Sequence, residues 1–181
     1  MITRLMNRAL VLLLTGALFA CATVAPEDVP EIRPGILQGY LSMDTPFHSV
    51  EFVPASPQED SARQQLDTAV SNYALTLRDS PRWKMAEHDA HITFPAVADT
   101  FSCALGVAIS EQQTPATYIL LRRTLADVGL ATYSAKQAYQ RKRPFMVNGQ
   151  PTCTPDEEEQ LRQDGSYPSG HTSIGWGWAL M

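Results

Sequence analysis

Beyond Pro57 the apolar positions of this 181-residue chain recur at helical spacing nearly to its last residue. Ser56, Pro57 and Glu59 read as a capping-box start, and Ala62, Leu66, Ala69, Val70, Tyr73 and Leu77 continue the pattern, predicting a helix to about Arg78. Ser80-Pro81 opens a shorter helix through Trp83 and Met85 to about Ala90. From Phe94 to Ile109 the chain is apolar nearly all round, which predicts a buried central helix. Thr114-Pro115 opens the longest helix, whose apolar set from Tyr118 to Ala135 carries it to Lys136, with Pro144 as its stop. Thr154-Pro155-Asp156-Glu157 predicts a short acidic helix to about Gln163, ended by Gly165. Pro168-Ser169 starts a final helix, His171 to Met181. No alternating run predicts a strand, and no segment repeats, so the fold class is all-α.

Upstream the pattern changes. Between residues 23 and 57 the prolines Pro26, Pro30, Pro34, Pro46, Pro54 and Pro57 forbid long regular elements and predict an extended arm. Ile36, Leu37, Tyr40, Leu41 and the stretch Phe47 to Val53 give that arm enough apolar surface to dock partly on the helical body. Residues 1–22 read as a secretory signal, with Arg4 and Arg8 ahead of an apolar run too short to span a membrane comfortably. Its end has two readings: Ala20-Cys21-Ala22 as an A-x-A cleavage site, or Leu18 to Cys21 as a lipobox with lipidation of Cys21, the only route by which a membrane enters. Either way the protein leaves the cytoplasm for the periplasm or the exterior.

Composition narrows the choice. With 44% hydrophobic and 18% charged residues, positions 58–181 suit one globular domain. The formal net charge of −5 argues against an electrostatic grip on nucleic acid, so any anion site must be a local concentration of cations. Lys136, Arg141, Lys142 and Arg143 are such a concentration. If Cys21 is removed or lipidated, Cys103 and Cys153 are left either to form a bridge or to stay apart, Cys103 then being a small core residue in its apolar helix.

Lys136 and Arg143 are seven positions apart, and if both are helical they lie on one face, roughly 10 Å apart along the axis. Pro144 pushes Arg143 out of the helical region and turns its guanidinium aside. Such a pair alone is commonly a solvated helix end. Gly165 to His171 (GSYPSGH) adds what it lacks: Ser169 can cap a helix, Gly170 allows close approach to backbone N–H groups, and His171 in the first turn brings an imidazole that can give or take a proton. These are the parts of a phosphate site. The run Glu87-His88-Asp89-Ala90-His91 places two imidazoles at metal-ligand spacing, but the pattern supplies no third ligand, and a polar helix end is the plainer account.

Lys136, Arg143 and Pro144 followed by Pro168-Ser169-Gly170-His171 match the first two parts of a three-part signature, and the chain resembles the PAP2 acid phosphatase and vanadium haloperoxidase superfamily. The longer runs ATYSAKQAYQRKRPF and DGSYPSGHTSIGW resemble the secreted bacterial class A non-specific acid phosphatases in particular. The resemblance implies a helical bundle, a metal-free hydrolysis of small phosphomonoesters through a phosphohistidine, and a homo-oligomer. It implies that Lys136, Arg143, Ser169 and Gly170 bind the phosphate and that His171, also near it, is the catalytic general acid. The third part, S-R-x5-H-x3-D, which carries the nucleophile, has no match here: no histidine or arginine follows His171. That gap, with apolar Trp178 to Met181 and no C-cap glycine, reads as a bundle incomplete at its C-terminus and inactive alone. The alternatives are a non-catalytic product that binds phosphate weakly, and a vanadate-holding haloperoxidase.

Overall fold

Ser80 caps the helix that follows it by accepting from the N–H of Trp83, with Pro81 in the first helical turn, as the sequence predicts. That helix is one of eight α-helices in a computed structural model that describes residues 29–42, 44 and 47–181. The expected leader, Cys21 and the start of the arm lie outside the described residues. The helices are α1 (Ala62–Thr76), α2 (Pro81–Ala90), α3 (Ala96–Leu105), α4 (Pro115–Leu130), α5 (Tyr133–Tyr139), α6 (Pro144–Asn148), α7 (Glu158–Leu161) and α8 (Gly170–Ala179).

The centre of the fold is α4 against α8. Tyr118, Leu121 and Leu125 of α4 bury with Ile174 and Trp178 of α8 and with Val97, Ala98 and Ile109. Phe94 and Phe101 meet the Trp178 ring edge-on, at centroid distances of 5.8 and 5.3 Å. The helices approach closely because Gly177 has no side chain: a Cβ there would lie 2.9 Å from a methyl of Val128.

Several expectations change. The first helix starts at Ala62 rather than near Pro57, because Ser61 caps it by accepting the N–H of Gln64. Its apolar stripe is exposed at Leu66, Val70 and Tyr73, and α1 is tied down instead by Arg141, which donates to Gln64 and Asp67 at 2.7 Å. The helix expected at 94–109 is shorter and less buried: Pro95 precedes it, Gly106 ends it in a left-handed conformation (φ 66°), and Leu105, Val107 and Cys103 are exposed. Cys103 is therefore no core residue, and it and Cys153 are free thiols. The long helix expected from Thr114 to Lys136 breaks after Leu130, where the Thr132 hydroxyl donates to the carbonyl of Gly129, and α5 starts afresh.

The arm docks, and it includes a short antiparallel pair that no alternation in the sequence announces: β1 (Glu31–Arg33) and β2 (Ile36–Leu37), with Gly35 at φ 77° between them. Leu37 is buried. Asp127 of α4 accepts the N–H groups of Tyr40 (2.9 Å) and Leu41 (3.1 Å), while Arg123 donates to the carbonyls of Gln38 and Gly39. The arm then makes a 3-10 turn at Ser49–Glu51, lying against α5.

Candidate active site

Helix α5 has no capping side chain of its own. Buried Ser49, 86 positions upstream, supplies one: its Oγ accepts the N–H of Ala135 at 3.1 Å and meets the Ser134 hydroxyl at 3.0 Å. The next residue is Lys136, only 5% exposed. Its Nζ donates to the carbonyl of Gly165 at 2.9 Å and lies 3.5 Å from Oδ2 of Asp164. Burial lowers its pKa, the nearby Arg143 lowers it further, and Asp164 opposes both.

Gln140, left-handed at φ 43°, ends α5, so Lys136 and Arg143 do not share a helix face as the seven-residue spacing predicts. Arg143 sits extended (φ −75°, ψ 148°) immediately before Pro144, which excludes the helical conformation there. From that position its Nε donates to the carbonyls of Leu161 (2.7 Å) and Asp164 (3.1 Å). Its Nη2 lies 3.5 Å from the Gly165 carbonyl and 3.9 Å from Asp164 Oδ2. Burial depresses its pKa, with Asp164 opposing. The two cations thus reach one turn from two elements.

That turn, Asp164-Gly165, reads in the sequence only as a helix stop. Gly165 is buried, and a Cβ on it would meet the Lys136 carbonyl at 3.0 Å, so the glycine permits the approach. Ser166 fastens the following chain, donating its N–H to Arg141 and its hydroxyl to Lys142. A buried lysine needs a counter-ion, and that requirement was the one sequence signal for Asp164.

Five residues on from Asp164, Ser169 caps α8 by accepting the N–H of Thr172 at 3.2 Å, as its position before the last helix predicts. Gly170 opens the helix, and apart from its chain neighbours and its own helix backbone no atom of the described residues lies within 4 Å of where a Cβ would stand, which leaves room for a ligand beside it. His171 is exposed, and its Nε2 is 2.8 Å from the carbonyl of Ala90, the last residue of α2. Since a carbonyl can only accept, Nε2 carries the proton. Among the described residues, the hydrogen bonds and ion pairs join Lys136 to Arg143 through the Asp164-Gly165 turn and join His171 to α2, but none joins the two groups directly. The six residue steps from Gly165 to His171 can span at most about 22 Å. His88 meets Thr100 and Asp89, and among the described residues no three acidic, histidine or cysteine side chains gather around a metal-sized space.

The arrangement is thus a buried lysine and a half-buried arginine held by one turn, followed by a helix N-terminus and a histidine, in an all-helical body. Residues 116–181 match the PAP2 superfamily. It is 38% identical over 158 residues to the non-specific acid phosphatase of Salmonella typhimurium, an alignment covering 82% of this chain and 63% of the relative. The non-specific acid phosphatase of Providencia stuartii is 36% identical, covering 88% of this chain and 64% of the relative. An acid phosphatase of Zymomonas mobilis is 34% identical, covering 81% and 61%. The chain therefore spans somewhat under two thirds of the length of the relatives it matches. No helix among the described residues is long and apolar enough to cross a membrane.

Proposed function

We propose that the chain carries the phosphate-binding and proton-donating part of a periplasmic or secreted acid phosphatase that hydrolyses small phosphomonoesters and works as a homo-oligomer. The observation that carries this reading is the convergence of Lys136 and Arg143 on one turn. Two cations withheld from water are a poor use of charge unless an anion meets them, and both lie within a short loop of an open helix N-terminus. Lys136 and Arg143 hold the phosphate oxygens, and the backbone around Ser169 and Gly170 donates to the remaining ones. His171 protonates the leaving alcohol. With Nε2–H engaged by the Ala90 carbonyl, the proton transferred is one carried on Nδ1, and such general-acid assistance contributes about 10² to 10⁴ in rate. A phosphohistidine intermediate requires a second histidine in the S-R-x5-H-x3-D context, for which the 181 residues have no match. We therefore expect this piece to bind phosphate but not to turn over esters by itself.

Calorimetric titration of the chain, freed of residues 1–22, with inorganic phosphate tests the reading. Millimolar or tighter binding that Lys136→Met abolishes is expected, together with no phosphate release from p-nitrophenyl phosphate in the presence of EDTA. Phosphate affinity unchanged by Lys136→Met would remove the cradle. Turnover abolished by His171→Ala would keep the cradle but require another nucleophile in this chain.

A further inference from the structure

The resemblance assigns the cations a ligand, and the structure shows them already facing a carboxylate. We propose that Asp164 is a displaceable internal counter-ion, which holds Lys136 and Arg143 until a phosphate takes them over and so sets the affinity of the site. This rests on the phosphate-binding reading above.

The geometry of Asp164 is that of a loose pair. One oxygen, Oδ2, is shared between Lys136 at 3.5 Å and Arg143 at 3.9 Å, both well beyond the roughly 2.7–2.9 Å of a charge-assisted hydrogen bond. The other, Oδ1, is buried and has no hydrogen-bond partner among the described residues. A carboxylate placed only to stabilise the fold would be expected to satisfy both oxygens.

The cations do not depend on it for their positions. Lys136 is fixed by the Gly165 carbonyl at 2.9 Å, and Arg143 by the carbonyls of Leu161 and Asp164 through Nε. Only the long contacts, Nζ and Nη2 to Oδ2, involve the carboxylate, and these point at the charges a phosphate needs. Removing the charge of Asp164 therefore leaves the cradle standing and deletes its competitor. The backbone of Asp164 contributes a structural acceptor, and only its side chain competes.

The test is calorimetric titration of the wild-type chain, Asp164→Asn and Asp164→Ser with inorganic phosphate near neutral pH at fixed salt, with circular dichroism as the check on folding. Both neutral variants should bind phosphate about tenfold more tightly than wild type, equivalent to about 1.4 kcal/mol. The gain should shrink as salt screens the charges. An aspartate that served the fold through its backbone alone would leave the phosphate affinity unchanged in both variants. Equal or weaker binding in a folded neutral variant overturns the proposal while wild-type binding keeps the phosphate reading. Binding by none of the three overturns both. Unfolding of both variants also overturns it, because the carboxylate would then be an indispensable part of the fold.

Discussion

The structure makes Ser49→Ala a probe of how the arm supports the site. Ser49 Oγ is the acceptor for the buried N–H of Ala135 in the first turn of α5, one residue before Lys136, and the helix has no cap of its own. Loss of an N-cap serine costs about 0.5–2 kcal/mol. Here the deserted donor is buried, and an unsatisfied buried N–H costs about 1–3 kcal/mol; these are two views of one interaction and should not be summed. The Ser134 hydroxyl, which Ser49 also meets, keeps the N–H of Val50 as a donor and loses only one partner. We therefore expect a loss of about 2 kcal/mol in urea unfolding. Ser61→Ala, which removes the cap of the solvent-exposed start of α1, should cost about 1 kcal/mol or less. Because fraying of α5 loosens Lys136, phosphate binding should weaken in Ser49→Ala and not in Ser61→Ala. Equal stability losses in the two variants, or undiminished phosphate affinity in Ser49→Ala, would refute the view that the arm caps the helix that presents Lys136.

Further outcomes follow from other close contacts. A Cβ at Gly39 would stand 1.8 Å from Oδ1 of Asp127, which also accepts two backbone N–H groups of the arm; Gly39→Ala should therefore destabilise by about 2–4 kcal/mol. In a double-mutant cycle it should add little once Asp127 is already alanine, and full additivity would count against the contact. Burial holds the Lys136 pKa below 10.5 in the folded chain, so approaching that value from below the unfolded state binds more protons than the folded one. The stability of wild type relative to Lys136→Met should thus rise as the pH climbs towards 10.5, and urea titrations showing a flat or falling difference would contradict that sign. Burial also raises the thiol pKa of half-buried Cys153, whereas Cys103 is exposed. Peptide mapping after brief alkylation near neutral pH should find Cys103 labelled well before Cys153.

The local backbone geometry around the candidate site residues was legible in the sequence because it is set by chain neighbours. Ser80-Pro81 and Pro168-Ser169 start helices, and Pro144 keeps Arg143 extended, through capping and φ limits that act between chain neighbours. The type of each candidate site residue and the all-α class follow from the same short-range rules and from helical spacing. Those rules could not choose between Ser56 and Ser61 as the first cap, since both begin an acceptable box. Nor could spacing reveal that α4 and α5 are separate helices, or that the stripe of Leu66, Val70 and Tyr73 faces outward.

What the tertiary structure alone decided is which distant groups share one place. Lys136 meets Gly165 across 29 positions, Arg143 meets Asp164 across 21, and Ser49 caps α5 across 86. The hairpin of the arm and the hold of Asp127 on Tyr40 and Leu41 are of the same kind. Residue identity determines what a side chain can donate, accept or neutralise, and periodicity determines the helix it rides on. Partnership between remote residues depends on how whole elements pack, which is settled by the burial of the α4–α8 core and the small glycine contacts within it.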